Sequence, residues 1–133
     1  MSEHIKNSHA GGVLTLTISR PEKKNALTAA MYAALADAIS DADSNKDVRV
    51  ILITGSEDSF TAGNDLKDFL DNPPVDPSSP VFQFMHAIAG AKKPVVAAVN
   101  GLAIGIGTTM LLHCDLVYAV DTARFQLPFV NLG

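Results

Sequence analysis

Two glycine-bearing turns are the places where this chain could hold developing negative charge: Phe60-Thr61-Ala62-Gly63-Asn64-Asp65 and Gly101-Leu102-Ala103-Ile104-Gly105-Ile106-Gly107. Each comes after an apolar, β-branched run that reads as a buried strand, residues 48–54 before the first and residues 95–99 before the second. The second turn leads into residues 108–113, which have the composition of a buried helix. A strand, a glycine turn and a helix start leave backbone N–H groups unpaired and pointing forward. If the two strands neighbour each other in one sheet, the turns lie at the same end and one N–H from each converges on a single carbonyl oxygen. Such a pair stabilises an enolate or a tetrahedral oxyanion, and losing one donor typically costs about 10²–10³ in rate.

Other uses of the second turn fit less well. A dinucleotide fingerprint requires a third glycine where Met110 stands, and a P-loop requires a lysine that does not follow these glycines. Residues 94–112 are nearly uncharged, but Asn100, three glycines and a change of period argue against a membrane span. Close packing of a helix against a sheet also calls for glycine, and for the second turn alone that reading stands beside the chemical one. The remaining titratable groups form no catalytic set. His113, beside Cys114 and Asp115, suits packing or capping at a helix end, and His86 falls on the polar side of its helix. Asp68 and Asp71 read as a solvated face near the Asn64 turn, and Asp65 as a local cap or turn former.

The chain has 133 residues, of which 47% are hydrophobic and only 18% charged, and its mean hydropathy is +0.20. That is enough to bury a core in one domain, and the low charge suggests surface covered by other polypeptide. A formal net charge of −4 without a basic stripe argues against nucleic-acid binding. One cysteine, Cys114, placed in the apolar helix, excludes a disulfide framework or a zinc cluster. No signal-peptide layout opens the chain. A soluble, cytoplasmic protein with no metal and no cofactor is expected.

The elements that must position the turns follow from periodicity. Residues 13–19 alternate as a half-exposed strand after Gly11-Gly12, and Thr28 caps a helix to about Asp43 with Met31, Leu35, Ile39 and Ala42 on one face. A turn at 55–59 separates strand 48–54 from the first glycine turn, and 66–70 is a short helix. Residues 72–80 hold four of the seven prolines and read as an exposed loop. Val81, Phe84, Met85 and Ile88 mark a further helix, 116–120 a strand and 124–127 a short extended piece. The class is α/β, with a loosely recurring strand, strand, helix rhythm.

Three groups of residues, spread over nearly the whole chain, resemble the crotonase (enoyl-CoA hydratase/isomerase) superfamily. They are Arg20-Pro21 with Asn25-Ala26-Leu27, Phe60-x-Ala62-Gly63-x-Asp65-Leu66, and the stretch from Pro94 through Asn100-Gly101 to Cys114-Asp115. The resemblance implies a spiral of β-β-α turns that binds acyl-CoA thioesters in fatty acid metabolism. It further implies that the backbone N–H groups of Asn64 and Ile106 hold the thioester oxygen, their side chains being incidental. The loop at Lys24, Ala26 and Leu27, together with Ala62, Gly63, Asn64, Asp65, Leu66 and Gly105, would take up the CoA moiety and thioester, with Lys23 and Lys24 near its phosphates.

The departures from the family pattern bear on the chemistry. Where the family's hydratases carry two glutamates, this chain has Thr109 and Phe129, and neither can act as a general base toward water. Gly63-Asn64-Asp65-Leu66 with Pro128-Phe129-x-Asn131-Leu132-Gly133 looks closest to the Δ3,Δ2-enoyl-CoA isomerase branch, whose single glutamate follows that last glycine. The expectation is therefore an enoyl-CoA isomerase whose base lies beyond residue 133, with hydratase and non-catalytic acyl-CoA binder as alternatives. The strongly apolar stretch 125–133 suggests an N-terminal portion, truncated before the C-terminal helices that cover the spiral and build a homo-oligomer (a trimer or dimer of trimers) at full length. On this reading the chain alone binds CoA weakly and catalyses almost nothing.

Overall fold

The computed structural model describes residues 2–132; Gly133, the last residue of the isomerase-like motif, lies outside them. The chain begins with β1 (Ile5–Ala10) and β2 (Val13–Ile18), then a 3-10 turn (Pro21–Lys23) and α1 (Ala29–Asp43). Next come β3 (Val50–Thr54), β4 (Ser59–Thr61), α2 (Leu66–Asp71) and α3 (Pro80–Ala89). β5 (Val95–Val99) and β6 (Leu102–Ile104) lead into α4 (Ile106–Thr109), which tightens into a 3-10 segment, Met110–His113. β7 (Leu116–Ala119), β8 (Arg124–Gln126) and α5 (Phe129–Leu132) finish the described chain.

Two sheets grow in step. The larger has the order β1-β2-β3-β5-β7, antiparallel only at the β1–β2 hairpin, and the smaller has the order β4-β6-β8, parallel throughout. After the β1–β2 hairpin and α1, each turn of the chain adds one strand to the large sheet, one to the small sheet, and then helix. The first turn has only a single bridge in place of a small-sheet strand, between Leu27 and Asn64. The expected rhythm of two strands and a helix is thus regular in space.

Packing explains the helices. The Thr28 hydroxyl accepts from the Met31 N–H at 3.3 Å and caps α1, and Met31, Leu35 and Ile39 are fully buried. Burying a side chain of that size contributes about 1.5–3 kcal/mol, so this face holds α1 against the large sheet and α3. Tyr32 meets Phe84 of α3 with ring centroids 5.6 Å apart. The α3 face differs from expectation at one position: Phe84 and Ile88 are buried, but Met85 is 40% exposed.

Other expectations need correction. The helix assigned to 108–113 starts at Ile106, because Gly105 already breaks the strand conformation, and its second half is 3-10 with Leu112 exposed. Cys114 lies just past that segment, half-buried, with desolvation and the Asp115 carboxylate pushing its thiol up to about 11. β1 was not anticipated, since only Ile5 of its six residues is buried. β4 and β6, of three residues each, occupy stretches read as turn. No helix among the described residues is long and apolar enough to cross a membrane.

Candidate active site

Residues of the first loop build one wall of the site. Lys24 and Asn25 sit side by side in the left-handed region, φ 53° and 60°, a conformation that asparagine tolerates better than most residues. The fully buried Asn25 side chain holds it there. Its Oδ1 accepts from the Arg20 N–H at 2.7 Å and its Nδ2 donates to the Ser59 carbonyl at 2.8 Å. The Thr61 hydroxyl donates to the Asn25 carbonyl at 2.7 Å. The loop at 20–27 is thereby fixed against β4.

The Leu27–Asn64 bridge fixes the direction of one key donor. Leu27 N–H donates to the Gly63 carbonyl at 2.7 Å and Asp65 N–H to the Leu27 carbonyl at 2.9 Å. In a parallel ladder the residue between such a pair directs its own N–H to the other side. Asn64 N–H therefore faces the side on which β6 lies, and it donates to no acceptor among the described residues.

The second turn supplies the counterpart. Gly105, φ 60° and ψ −118°, adopts a conformation suited to glycine alone. Its N–H donates to the Gln126 carbonyl at 2.9 Å, which ties it to β8. The next N–H, that of Ile106, belongs to the first residue of α4 and has no backbone partner. The turns are in contact: a Cβ on Gly63 would stand 2.9 Å from the Ile104 carbonyl oxygen. The packing reading of the glycines also holds, at other positions. A Cβ on Gly101 would come within 2.0 Å of the Asp58 carbonyl oxygen, and one on Gly107 within 2.8 Å of Thr61.

Both turns open on a cavity of about 760 Å³ whose lining includes Ala26, Ala62, Gly63, Asn64, Gly105 and Ile106. Asp65, Leu66 and Phe129 also reach it. Of the residues singled out from sequence, Lys24 and Leu27 are not on this wall. Lys24 pairs through Nζ with Asp58 Oδ2 at 2.7 Å, while its carbonyl accepts from Ala62 N–H at 3.0 Å. Leu27 is buried and lines a smaller cavity of about 370 Å³ with Tyr32, Phe69 and Val81. Asn64 borders both cavities.

The carboxylates nearby are held by capping. Asp65 accepts from the Asp68 N–H at 2.8 Å, capping α2, and from Arg20 Nη1 at 2.8 Å. Those two contacts, the backbone one first, hold its carboxyl below the usual range. Asp68 Oδ2 accepts from the Ala29 N–H at 2.7 Å at the start of α1, a role its reading as solvated face did not include. Asp71 pairs with Lys67 one helical turn away at 2.8 Å. Thr109 is half-buried and Phe129 is 56% exposed beside Gly105. Sequence reasoning missed Arg20 and Tyr32 as members of the site; Arg20 carried a signal, as a cation just before the loop, whereas Tyr32 looked like any helix-face aromatic. Among the described residues no group of three or more His, Cys, Asp or Glu side chains is placed to hold a metal ion.

Comparison with known proteins bears on the fold and the family. A family model described as enoyl-CoA hydratase/isomerase matches residues 8–133. The chain is 37% identical to the 1,2-epoxyphenylacetyl-CoA isomerase of Escherichia coli, over 100% of the chain and 53% of that protein. It is 36% identical to enoyl-CoA delta isomerase 2 of Rattus norvegicus, over 99% of the chain and 35% of that protein. The solved structure of Pseudomonas aeruginosa OdaA superposes with a TM-score of 0.95 at 55% identity, covering 99% of this chain and 53% of that one. The chain thus spans about half the length, or less, of these relatives. It has the crotonase fold and belongs to the enoyl-CoA hydratase/isomerase family.

Proposed function

We propose that the larger cavity binds the CoA thioester of an enoyl chain, and that the N–H groups of Asn64 and Ile106 hold the thioester oxygen as it becomes an enolate. The reaction that suits this site is isomerisation. A C2 proton leaves a 3-enoyl-CoA, negative charge spreads onto the held oxygen, and a proton returns at C4 to give the 2-enoyl-CoA. The observation that carries the reading is the pair of unpartnered N–H groups on two touching turns at one cavity wall. The name of the Rattus norvegicus relative, enoyl-CoA delta isomerase 2, supports it.

Thr109 and Phe129 at the positions of the hydratase carboxylates weigh against water addition. Asp65 and Asp68 are engaged as caps and Asp71 as an ion pair, so we infer that the proton carrier comes from polypeptide outside the described residues. The same engagement of all three carboxylates that line the cavity among the described residues favours, as the second reading, an acyl-CoA binder without catalysis. Product analysis of the complete protein with 2-enoyl and 3-enoyl CoA esters separates the cases. Interconversion of the two enoyl esters is expected; a 3-hydroxyacyl product assigns hydration, and binding without turnover assigns the non-catalytic reading.

A further inference from the structure

The large sheet ends on β1 at one side and on β7 at the other, and the two edges differ. β1 carries Lys6 and the polar run Asn7-Ser8-His9, the kind of edge that discourages further pairing. β7, Leu-Val-Tyr-Ala, has no charge, no proline and no bulge, and its four residues are exposed on both faces of the sheet. A parallel strand of that composition is ordinarily covered on both faces. Asp115 N–H donates to the Val95 carbonyl at 2.8 Å. Counting on from there, Val117 and Ala119 turn their backbone groups toward β5, and Leu116 and Tyr118 turn theirs outward. No group among the described residues pairs with those outward groups. Large apolar side chains gather at this end: Leu112, Leu116, Val117, Tyr118 and Val120 are 42–84% exposed. The chain exposes 7512 Å² in all, whereas a folded monomer of 14.0 kDa exposes about 6,700 Å². The excess, roughly 800 Å², matches one side of an interface of standard size.

We propose that β7 is a docking edge for a second copy of this chain, whose own β7 lies antiparallel to it about a two-fold axis at Val117. This goes beyond the acyl-CoA reading and does not depend on it. In that register Leu116 of each copy stands opposite Tyr118 of the other. These are the residues whose N–H and C=O point outward, so each pair exchanges both bonds of a hydrogen-bonded antiparallel pair. The edge is thus its own complement, as a two-fold interface requires. Leu116 meets Tyr118 on one face of the joined sheet and Val117 meets Val117 on the other, pairings that favour strand association. No like charges meet: Asp115 stands opposite Ala119, and beyond the strand ends Asp121 comes to the side of His113 of the second copy. Joining the two β7 edges leaves only the polar β1 edges at the ends of the joined large sheet, so association closes at two copies and does not grow into a fibre.

Sedimentation velocity of the 133-residue chain over a dilution series reads the assembly, and a reversible dimer is expected. Val117→Lys and Val117→Glu each place like charges on the axis and should weaken dimerisation by about tenfold or more. Their far-ultraviolet dichroism should be unchanged, because Val117 is already 42% exposed. Mixed in equal amounts, the two variants should restore the dimer, since lysine then faces glutamate; a loss of fold would not be rescued in this way. Should either variant fail to fold, Val117→Cys in a Cys114→Ser background supplies a second measurement. Across a non-hydrogen-bonded antiparallel pair the Cα atoms are about 4.5 Å apart, within disulfide reach, so mild oxidation should give a covalent dimer on non-reducing electrophoresis. A dimer indifferent to Val117→Lys, an assembly larger than two copies, or a cysteine variant that does not cross-link overturns the inference. A monomer at every concentration also overturns it, assigns the β7 edge to other polypeptide, and leaves the acyl-CoA reading untouched.

Discussion

Arg20 Nη1 donates to Asp65 Oδ2 at 2.8 Å, and the two side chains are only 16% and 13% exposed. Arg20 also reaches the Ala26 carbonyl at 3.2 Å. One guanidinium thus joins the end of β2 and the loop at 20–27 to the cap of α2, with the Asn64 turn between them. The first and second turns of the spiral keep their register at the site through this contact.

Asp65 should accordingly make stability depend on pH in the acid range. Its folded carboxyl titrates below the unfolded value, so the stabilisation is complete above the ordinary carboxylate pKa, about 4, and disappears as pH falls through the lower folded value. Asp65→Ala should cost about 2 kcal/mol at neutral pH, from the lost cap and the unpaired Arg20. Asp65→Asn should cost less, because asparagine still caps. Urea unfolding at neutral pH and near pH 3 checks this: both variants should show a shallower acid loss than the unmodified protein.

Asn25→Ala should destabilise by about 2 kcal/mol, since it leaves the Arg20 N–H without its acceptor and takes one of two donors from the Ser59 carbonyl, which also accepts from Asn100 Nδ2 at 3.0 Å. It also puts alanine at φ 60°, a second cost. A thermal melt with only a small shift would show that the loop holds without this side chain.

Much of this architecture is legible in the residues. The apolar runs at 48–54 and 95–99 become β3 and β5, adjacent and parallel, and Thr28 caps the helix its spacing announces. β4 and β6 stay hidden because three residues carry no measurable period, and the glycines around them read as turn. β1 stays hidden because it buries one side chain and is held by pairing with β2. At the site, the two turns are visible as glycines after strands, but the Arg20–Asp65 and Tyr32–Asn64 contacts join residues far apart in sequence. Only the spiral register brings them together.

Gly105 and Gly101 should respond differently to alanine. At Gly105 a Cβ finds ordinary contact, 3.8 Å from Phe129 Cε1, so Gly105→Ala carries only conformational strain, about 1–3 kcal/mol. At Gly101 the added atom overlaps backbone, and the cost should be about 3 kcal/mol or more. Urea denaturation ranks the two. Gly105→Ala should lose more acyl-CoA affinity than its stability loss implies, because relaxing the strain turns the Ile106 N–H aside.

Thr109→Ala should leave isomerisation within about threefold, the scale of a surface-like change of up to about 0.5 kcal/mol. Its hydroxyl makes no hydrogen bond among the described residues, unlike that of Thr108, which donates to the Ala103 carbonyl at 2.8 Å. Steady-state turnover of the complete protein reads this directly. Abolished turnover in a folded Thr109→Ala protein would place a proton or a substrate contact on that hydroxyl.

Ile106→Pro isolates the second donor without removing any reactive group. Ile106 is the first residue of α4, where proline's missing N–H breaks no helical bond and its fixed φ suits the helix. The helix should therefore survive, still anchored by Thr108 and Thr109 N–H groups on the Gly105 carbonyl at 2.9 and 3.0 Å. What disappears is one of the two N–H groups proposed to hold the enolate oxygen. In an active polypeptide containing this chain, turnover should fall about 10²-fold or more, with a smaller change in substrate affinity because the donor acts mainly on developed charge. The same substitution in the 133-residue chain should leave its far-ultraviolet dichroism unchanged, which separates a lost donor from a lost fold. Near-normal turnover by a folded Ile106→Pro protein would remove that N–H from the mechanism and leave Asn64 as the sole backbone donor of the pair.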